Sequence, residues 1–179
     1  MLYVVGLDRG HGGPDPGAIG PTGLREADVN EGVVQRAEQY LTRMRVRVVR
    51  SCARDQNPLQ RERREVMLAG GAELVVSIHH NGHTSPDAHG MEAIVYPGER
   101  YDSGALAYHL LRRLAVNCNR CDRGIKVKQF TVCNAPIPAV MIEPAFVTNP
   151  EEERLLRQDW YLEKAALAIV EGIWRFMTA

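Results

Sequence analysis

Leu2-Tyr3-Val4-Val5-Gly6-Leu7, running into Asp8-Arg9-Gly10-His11-Gly12-Gly13, is the stretch on which the fold turns. Residues 2–7 are apolar almost without interruption, the pattern of a short strand buried on both faces of a parallel sheet. After it, Gly10, Gly12, Gly13, Gly17, Gly20 and Gly23 are interleaved with Pro14, Pro16 and Pro21, which predicts a long irregular loop. Loops of that length in compact domains are usually functional.

Outward from this stretch, strand and helix patterns alternate. Val33, Val34, Ala37, Tyr40, Leu41 and Met44 recur at helical spacing, and Asp28 with Glu31 predicts a capping box at the helix start. Val46–Arg50 alternates as a strand. Pro58 suits the first turn of a second helix, which runs to about Ala69 and stops at Gly70-Gly71. Leu74–His79 and Glu92–Tyr96 read as strands, and Leu106, Leu110, Leu111 and Leu114 mark a third helix. Ile125–Lys128 and Phe130–Cys133 are short strand candidates, and Ala139–Glu143 is a further buried strand. Glu151–Leu156 predicts a short helix, and Leu162, Ala165, Ala166, Ile169, Ile173 and Phe176 a long terminal one. The alternation implies an α/β sheet covered on both faces. With no internal repeat and no linker, residues 1–179 read as a single domain.

Bulk properties narrow the function. A chain of 179 residues buries roughly 70% of its unfolded surface. Lys+Arg and Asp+Glu number 22 each, so no overall basic field draws nucleic acid or anionic lipid. Arg61, Arg63 and Arg64 are interleaved with Glu62 and Glu65 and read as an ion-paired helix face. No apolar run is long enough to cross a bilayer, and no charged head precedes an apolar run at the N-terminus. The expectation is therefore synthesis without a signal peptide, or a chain from which one has been removed. Cys118 and Cys121 have C-x-x-C spacing but lack the second pair of a structural zinc site, so plain thiols or a disulfide are expected.

The chemistry gathers where strands end. In sheets of this kind, ligands collect beyond the carboxyl ends of parallel strands. His11 follows the first strand, His79 closes another, and Glu143 ends a third. Glu26 lies after the Gly-rich loop. Two imidazoles, one carboxylate and an open position form the donor set of a catalytic zinc, and a spare carboxylate is the usual general base. His79 and His80 are adjacent on an extended chain, so only one faces the metal, and His79 shares its side with Ser77. His80 is then a supporting residue, and His83, His89 and His109 are surface residues. The glycines also suit phosphate binding, but the Lys-Ser/Thr of a P-loop and the G-x-G-x-x-G spacing are absent. Glu26 alone could be a dipole or capping residue, and Glu143 alone a buried ion pair.

Several blocks together resemble a known family. They are Val5-Gly6-Leu7-Asp8-Arg9-Gly10-His11-Gly12-Gly13, Asp15-Pro16-Gly17-Ala18-Ile19-Gly20, Gly23-Leu24-Arg25-Glu26, Ser77-Ile78-His79-His80-Asn81 and Asp122-Arg123-Gly124-Ile125-Lys126. Pro138-Ala139-Val140-Met141-Ile142-Glu143 and Phe146-Val147-Thr148-Asn149-Pro150 complete the set. In this order they resemble the zinc-dependent N-acetylmuramoyl-L-alanine amidases of the amidase-3 type. The resemblance implies a mixed, mostly parallel six-stranded sheet flanked by helices on both faces. It implies one Zn²⁺ per chain held by His11, Glu26 and His79, with Glu143 as general base and acid. The substrate would be peptidoglycan of the bacterial cell wall, cut between the lactyl group of N-acetylmuramic acid and L-alanine. Arg9 stands where the family usually has Pro, and His80 where it has a small residue, which bears on loop shape. The stretch 82–103 leaves no room for the inhibitory helix of some relatives, so an open site is expected. Asp8 and Ser77 are candidates to orient the imidazoles, and Asn81 to assist at the oxyanion. A zinc carboxypeptidase-like enzyme acting on stem peptides is the alternative reading, though no Arg is assigned to grip a terminal carboxylate. A non-catalytic wall-binding module is the other, though it should have lost a ligand or the glutamate.

Overall fold

The computed structural model describes residues 3–98 and 102–179. Its strands are β1 (Val4–Arg9), β2 (Arg47–Arg50), β3 (Leu74–Ile78), β4 (Met91–Val95), β5 (Asp122–Val127) and β6 (Ala139–Glu143). The helices are α1 (Glu26–Arg43), α2 (Gln60–Ala69), α3 (Ser103–Cys118), α4 (Pro150–Leu156) and α5 (Asp159–Met177). The strands form one six-stranded sheet in the order β2-β1-β3-β6-β4-β5. Every neighbouring pair is parallel except β4 with β6. The carboxyl ends of β1, β3 and β6 therefore share one edge with the amino ends of β4 and β5. This is the α/β, mixed but mostly parallel architecture expected from the sequence.

The period of the strands explains the two cores. Val76, Ile78, Val140 and Ile142 face the larger apolar cluster, with Val33, Leu41, Leu110 and Ile169 from α1, α3 and α5. Their alternates Val75 and Met141 face a smaller cluster with Met67 of α2 and with Val132. A side chain such as Ile78 or Leu110, fully buried, contributes about 1.5–3 kcal/mol. Strands buried on both faces cannot shift register by one residue without exchanging the two cores. That constraint holds the ends of β3 and β6 level with each other.

Two expectations are corrected. α1 begins at Glu26, not after a cap at Asp28, and its N-cap Arg25 makes no side-chain capping bond. Glu31 is buried and receives Arg50 Nη2 at 2.6 Å, so it is not free to complete a capping box. The segment Phe130–Cys133 is no strand. Thr131–Cys133 forms a 3₁₀ turn, closed by Cys133 N to the Phe130 carbonyl at 3.0 Å, and Val132 packs into the smaller core. Leu2, counted in the first strand by its apolarity, lies outside the described residues. No described helix is long and apolar enough to cross a membrane. All four cysteines are free thiols.

Candidate metal centre

β1 delivers His11 through an abrupt change of direction. His11 itself has φ +60, and Gly12 and Asp15 exchange backbone hydrogen bonds at 2.9 Å, which folds the loop back. This aims the ring towards α1. Its Nδ1 meets Asp15 Oδ2 at 2.8 Å, while Asp15 Oδ1 accepts from Gly17 N at 2.9 Å. Glu26 occupies the first turn of α1 and is almost fully buried. Backbone N–H groups hold both its oxygens: Ala18 N donates to Oε2 at 2.9 Å and His80 N to Oε1 at 3.1 Å. Asn30, one turn along α1, donates to Oε1 at 3.3 Å. His79 follows β3, and its backbone N–H reaches the Ile142 carbonyl on β6 at 3.0 Å.

These three side chains converge. His11 Nε2 lies 3.2 Å from Glu26 Oε2, and His79 Nδ1 lies 3.0 Å from Glu26 Oε1. One donor atom from each falls within 4.8 Å of the others. The two rings meet edge to face at 5.0 Å. Burial opposes charge on Glu26, yet the hydrogen bonds from His11 and His79 hold its carboxyl far below the usual range. The same bond to Glu26 pushes His11 up to about 9, against the effect of burial. A carboxylate gripped between two imidazoles is an electrostatic well for positive charge. Its nitrogen and oxygen donors suit a divalent ion of the zinc type, and Asp15 fixes which nitrogen of His11 is free to bind.

The glycines serve this cluster more directly than the sequence suggested. A Cβ at Gly10 would lie 2.3 Å from the His79 ring. One at Gly17, whose φ is +66, would lie 2.6 Å from Glu26 Oε2 and 2.7 Å from the His11 ring. The loop backbone packs onto the candidate ligands, leaving no space for side chains.

Glu143 ends β6 directly beside His79, because Ile78 and Ile142 are paired in the sheet. Its Oε2 accepts from Asn81 Nδ2 at 2.8 Å. Glu92, on β4, is paired with Glu143 across the antiparallel ladder. The Asn81 amide lies 3.5 Å from Glu92 Oε2, and Arg123 Nε neutralises Glu92 at 2.5 Å. Burial pushes the Glu143 carboxyl up to about 7; His79 and Lys128 oppose this, and the charges of Glu92 and Glu26 add to it. A carboxyl poised there can both take and return a proton near neutral pH.

The short helix α4 ties the surrounding loops down. Asn149 caps it, accepting from the backbone N–H groups of Glu151 and Glu152 at 3.0 Å, with Pro150 in the first turn. Glu152 accepts from Phe146 N at 2.7 Å and Gly90 N at 3.0 Å. Glu153 accepts from Thr22 Oγ1 at 2.9 Å, Thr22 N at 3.1 Å and Leu24 N at 3.2 Å. A cavity of about 220 Å³ opens beside His11 and His79 towards Asn57, Leu59 and Arg63.

A family profile described as N-acetylmuramoyl-L-alanine amidase matches residues 5–175. The chain belongs to this family, Amidase_3. It is 35% identical over 173 residues to the N-acetylmuramoyl-L-alanine amidase LytC of Bacillus subtilis (strain 168), a match covering 94% of this chain but only 34% of LytC. The germination-specific N-acetylmuramoyl-L-alanine amidase of the same organism is 30% identical over 191 residues, covering 98% of this chain and 80% of that protein. Among solved structures, the N-acetylmuramoyl-L-alanine amidase AmiC2 of Nostoc punctiforme superposes with a TM-score of 0.92 at 30% identity, covering 99% of this chain and 98% of that one.

Within this Amidase_3 chain, the four side chains singled out from sequence stand at one edge of the sheet: His11, Glu26 and His79 in contact, and Glu143 at the neighbouring strand end. The proposed orienting groups do not. Asp8 and Ser77 bond to each other at 2.5 Å beneath the site, and Asp8 also receives Ser51 Oγ at 2.6 Å. The acid behind His11 is Asp15. Asn81, suggested as an oxyanion donor, is instead occupied by Glu143. His80 is buried, bonded to Asn30 Oδ1 at 2.7 Å, and burial lowers its pKa to about 4, which keeps the ring neutral. His83 and His89 are exposed and His109 is partly so. Among the described residues no helix lies between Gly82 and Asp102. Glu92, Glu152 and Glu153 were not singled out. Their one sequence signal is a carboxylate inside a buried strand or at a helix start, which is too common to select them.

Proposed function

We propose that this chain is a zinc-dependent N-acetylmuramoyl-L-alanine amidase. It hydrolyses the amide between the lactyl group of N-acetylmuramic acid and L-alanine in peptidoglycan, and so acts on the bacterial cell wall. The observation that carries the reading is the contact of His11, Glu26 and His79 at one sheet edge, beside a second, raised carboxyl at Glu143. Family membership supports it.

His11 Nε2, Glu26 and His79 Nδ1 would hold one Zn²⁺. When bound, zinc acidifies a water and polarises a carbonyl. Glu143 takes the proton of the attacking water and returns it to the departing L-alanine nitrogen. Asn81 occupies Oε2 of Glu143, so Oε1, which receives no hydrogen bond from the described residues, is the oxygen that exchanges the proton. Asp15 keeps His11 in the tautomer with Nε2 free. His80, neutral and buried, positions Glu26 through its backbone N–H and through Asn30. Glu152 and Glu153 pin the loops that carry Gly90, Phe146, Thr22 and Leu24 near this sheet edge.

The test pairs metal analysis with mass spectrometry of digested sacculi. New L-alanine amino termini, produced with zinc and abolished by a chelator, are the expected result. Release of terminal amino acids would indicate a carboxypeptidase instead. Zinc binding without any cleavage would indicate a non-catalytic wall-binding module.

A further inference from the structure

We propose that Arg9 is a positioning residue for the metal centre. Through the loop 52–57 and Asn57 it holds Asp15, and through Asp15 the ring of His11. This rests on the zinc reading above.

Arg9 ends β1 and is only 2% exposed. A guanidinium in that position must be compensated. Nη1 donates to the Arg54 carbonyl at 2.6 Å, and Nη2 donates to the carbonyls of Gln56 at 2.8 Å and Ala53 at 3.2 Å. Glu31 Oε2 balances the charge at 3.6 Å. The loop supplies little of its own structure: Gln56 N reaches the Ala53 carbonyl at 3.1 Å, and Ala53 N the Gln56 side chain at 3.1 Å. Its shape is set around the planar fork of one arginine, a geometry that a lysine cannot reproduce.

That loop presents Asn57. Asn57 Nδ2 donates to Asp15 Oδ2 at 3.2 Å, and the same oxygen lies 2.8 Å from His11 Nδ1. Arg63 closes the circuit. It donates to Asn57 Oδ1, and its Nη1 donates to the Arg9 carbonyl at 2.5 Å.

A second contact points the same way. An ideal Cβ at Gly12 would lie 2.0 Å from Arg9 Nη2, so the guanidinium fills the space directly under the residue after His11. His11 has φ +60, which costs a non-glycine residue about 1 kcal/mol or more. Its placement is therefore imposed by the surroundings. Arg9 supports both the backbone after His11 and the acid behind its ring.

The experiment measures the Zn²⁺ dissociation constant of the purified chain by competition with a chromophoric chelator, alongside thermal melting of the metal-free protein. Asn57→Leu, at an exposed position, is expected to weaken zinc binding about tenfold, with melting changed by no more than about 2 °C. Arg9→Met is expected to weaken it at least as much. The double variant should bind zinc no more weakly than Arg9→Met alone, because both act through one chain of contacts. Where Arg9→Met does not fold, Arg9→Lys takes its place with the same expected result. Unchanged zinc affinity in Asn57→Leu, unchanged affinity in the Arg9 variant despite lowered melting, or losses that multiply in the double variant overturn the inference. Absence of zinc binding by the wild type overturns the zinc reading with it. Equal zinc binding by wild type and variants overturns this inference alone.

Discussion

The side-chain amide of Asn81 donates to Oε2 of Glu143 at 2.8 Å, and it does so between two carboxylates that face each other across the sheet. Asn81 leaves β3 and Glu143 ends β6. A parallel bridge between Asn81 and Phe146, made by Asn81 N to the Ala145 carbonyl and Val147 N to the Asn81 carbonyl, both at 2.8 Å, fixes the amide in place. Asn81→Ala should lower kcat by about tenfold or more, because the general carboxyl then swings. Zinc content should stay unchanged. Steady-state kinetics with metal analysis checks both.

Glu143→Gln keeps the size of the side chain and the Asn81 contact, with an amide that cannot accept a proton in the same way. Activity on peptidoglycan should fall by about 10²–10⁴-fold, the usual worth of a general base. Zinc stoichiometry should remain that of the wild type. Near-normal turnover would remove Glu143 from its role.

Burial, aided by Glu92 and Glu26, lifts Glu143 to about 7. The active form is the carboxylate, so kcat/KM should fall as pH drops below that value. A cation held beside it moves the limb lower. Glu92→Gln removes a negative neighbour and leaves Arg123 unpaired, so the acid limb should move to lower pH. For stability the sign is opposite. Native Glu143 keeps a proton that the unfolded chain releases near pH 4.5, so its contribution favours folding in acid and is lost as pH rises through about 7. A pH–rate profile and a pH series of denaturation curves separate the two.

Zinc binding should stabilise the fold by linkage. At a free zinc concentration of about 100 times the dissociation constant, the gain is about 2.7 kcal/mol. Chelation should lower the melting temperature, and readdition should restore it. His79→Ala should abolish the zinc-dependent part of the shift.

Glu153 is buried and accepts from Thr22 N, Thr22 Oγ1 and Leu24 N. Glu153→Ala leaves these donors without a partner and should cost about 2 kcal/mol or more in urea denaturation. The loss falls on the loop 20–24, which leads directly into Glu26, so zinc affinity should weaken as well.

His11, His79 and Glu143 were legible from sequence as a group, because each follows or ends a buried strand and the carboxyl ends of parallel strands lie together. Glu26 was not legible on that ground. A glutamate at a helix start has an ordinary dipole explanation, and it joined the candidate donor set only as the carboxylate that completes two imidazoles. The orienting acid was misassigned for a related reason. Asp8 and Ser77 are near the histidines along the chain, but Ser77 donates to Asp8, and Asp8 also meets Ser51 and Arg63. Asp15 is four residues from His11 on a loop, and only the reversal at Gly12–Asp15 brings it behind the ring. Phe130–Cys133 had strand-like composition, but the sheet already ends at β5, and the segment curls into a turn over the smaller core.

Periodicity and strand-end chemistry, both local properties of the chain, determined the alternating α/β order and pointed to three of the four candidate site residues. Tertiary structure alone decided which amide holds Glu143 and that a buried arginine braces the loop 52–57. These are contacts between residues 40 or more positions apart in most cases, such as Arg9 with Arg54 and Asn81 with Glu143. Such partners are chosen by sheet register and loop packing, and neither is encoded in the spacing of any one segment.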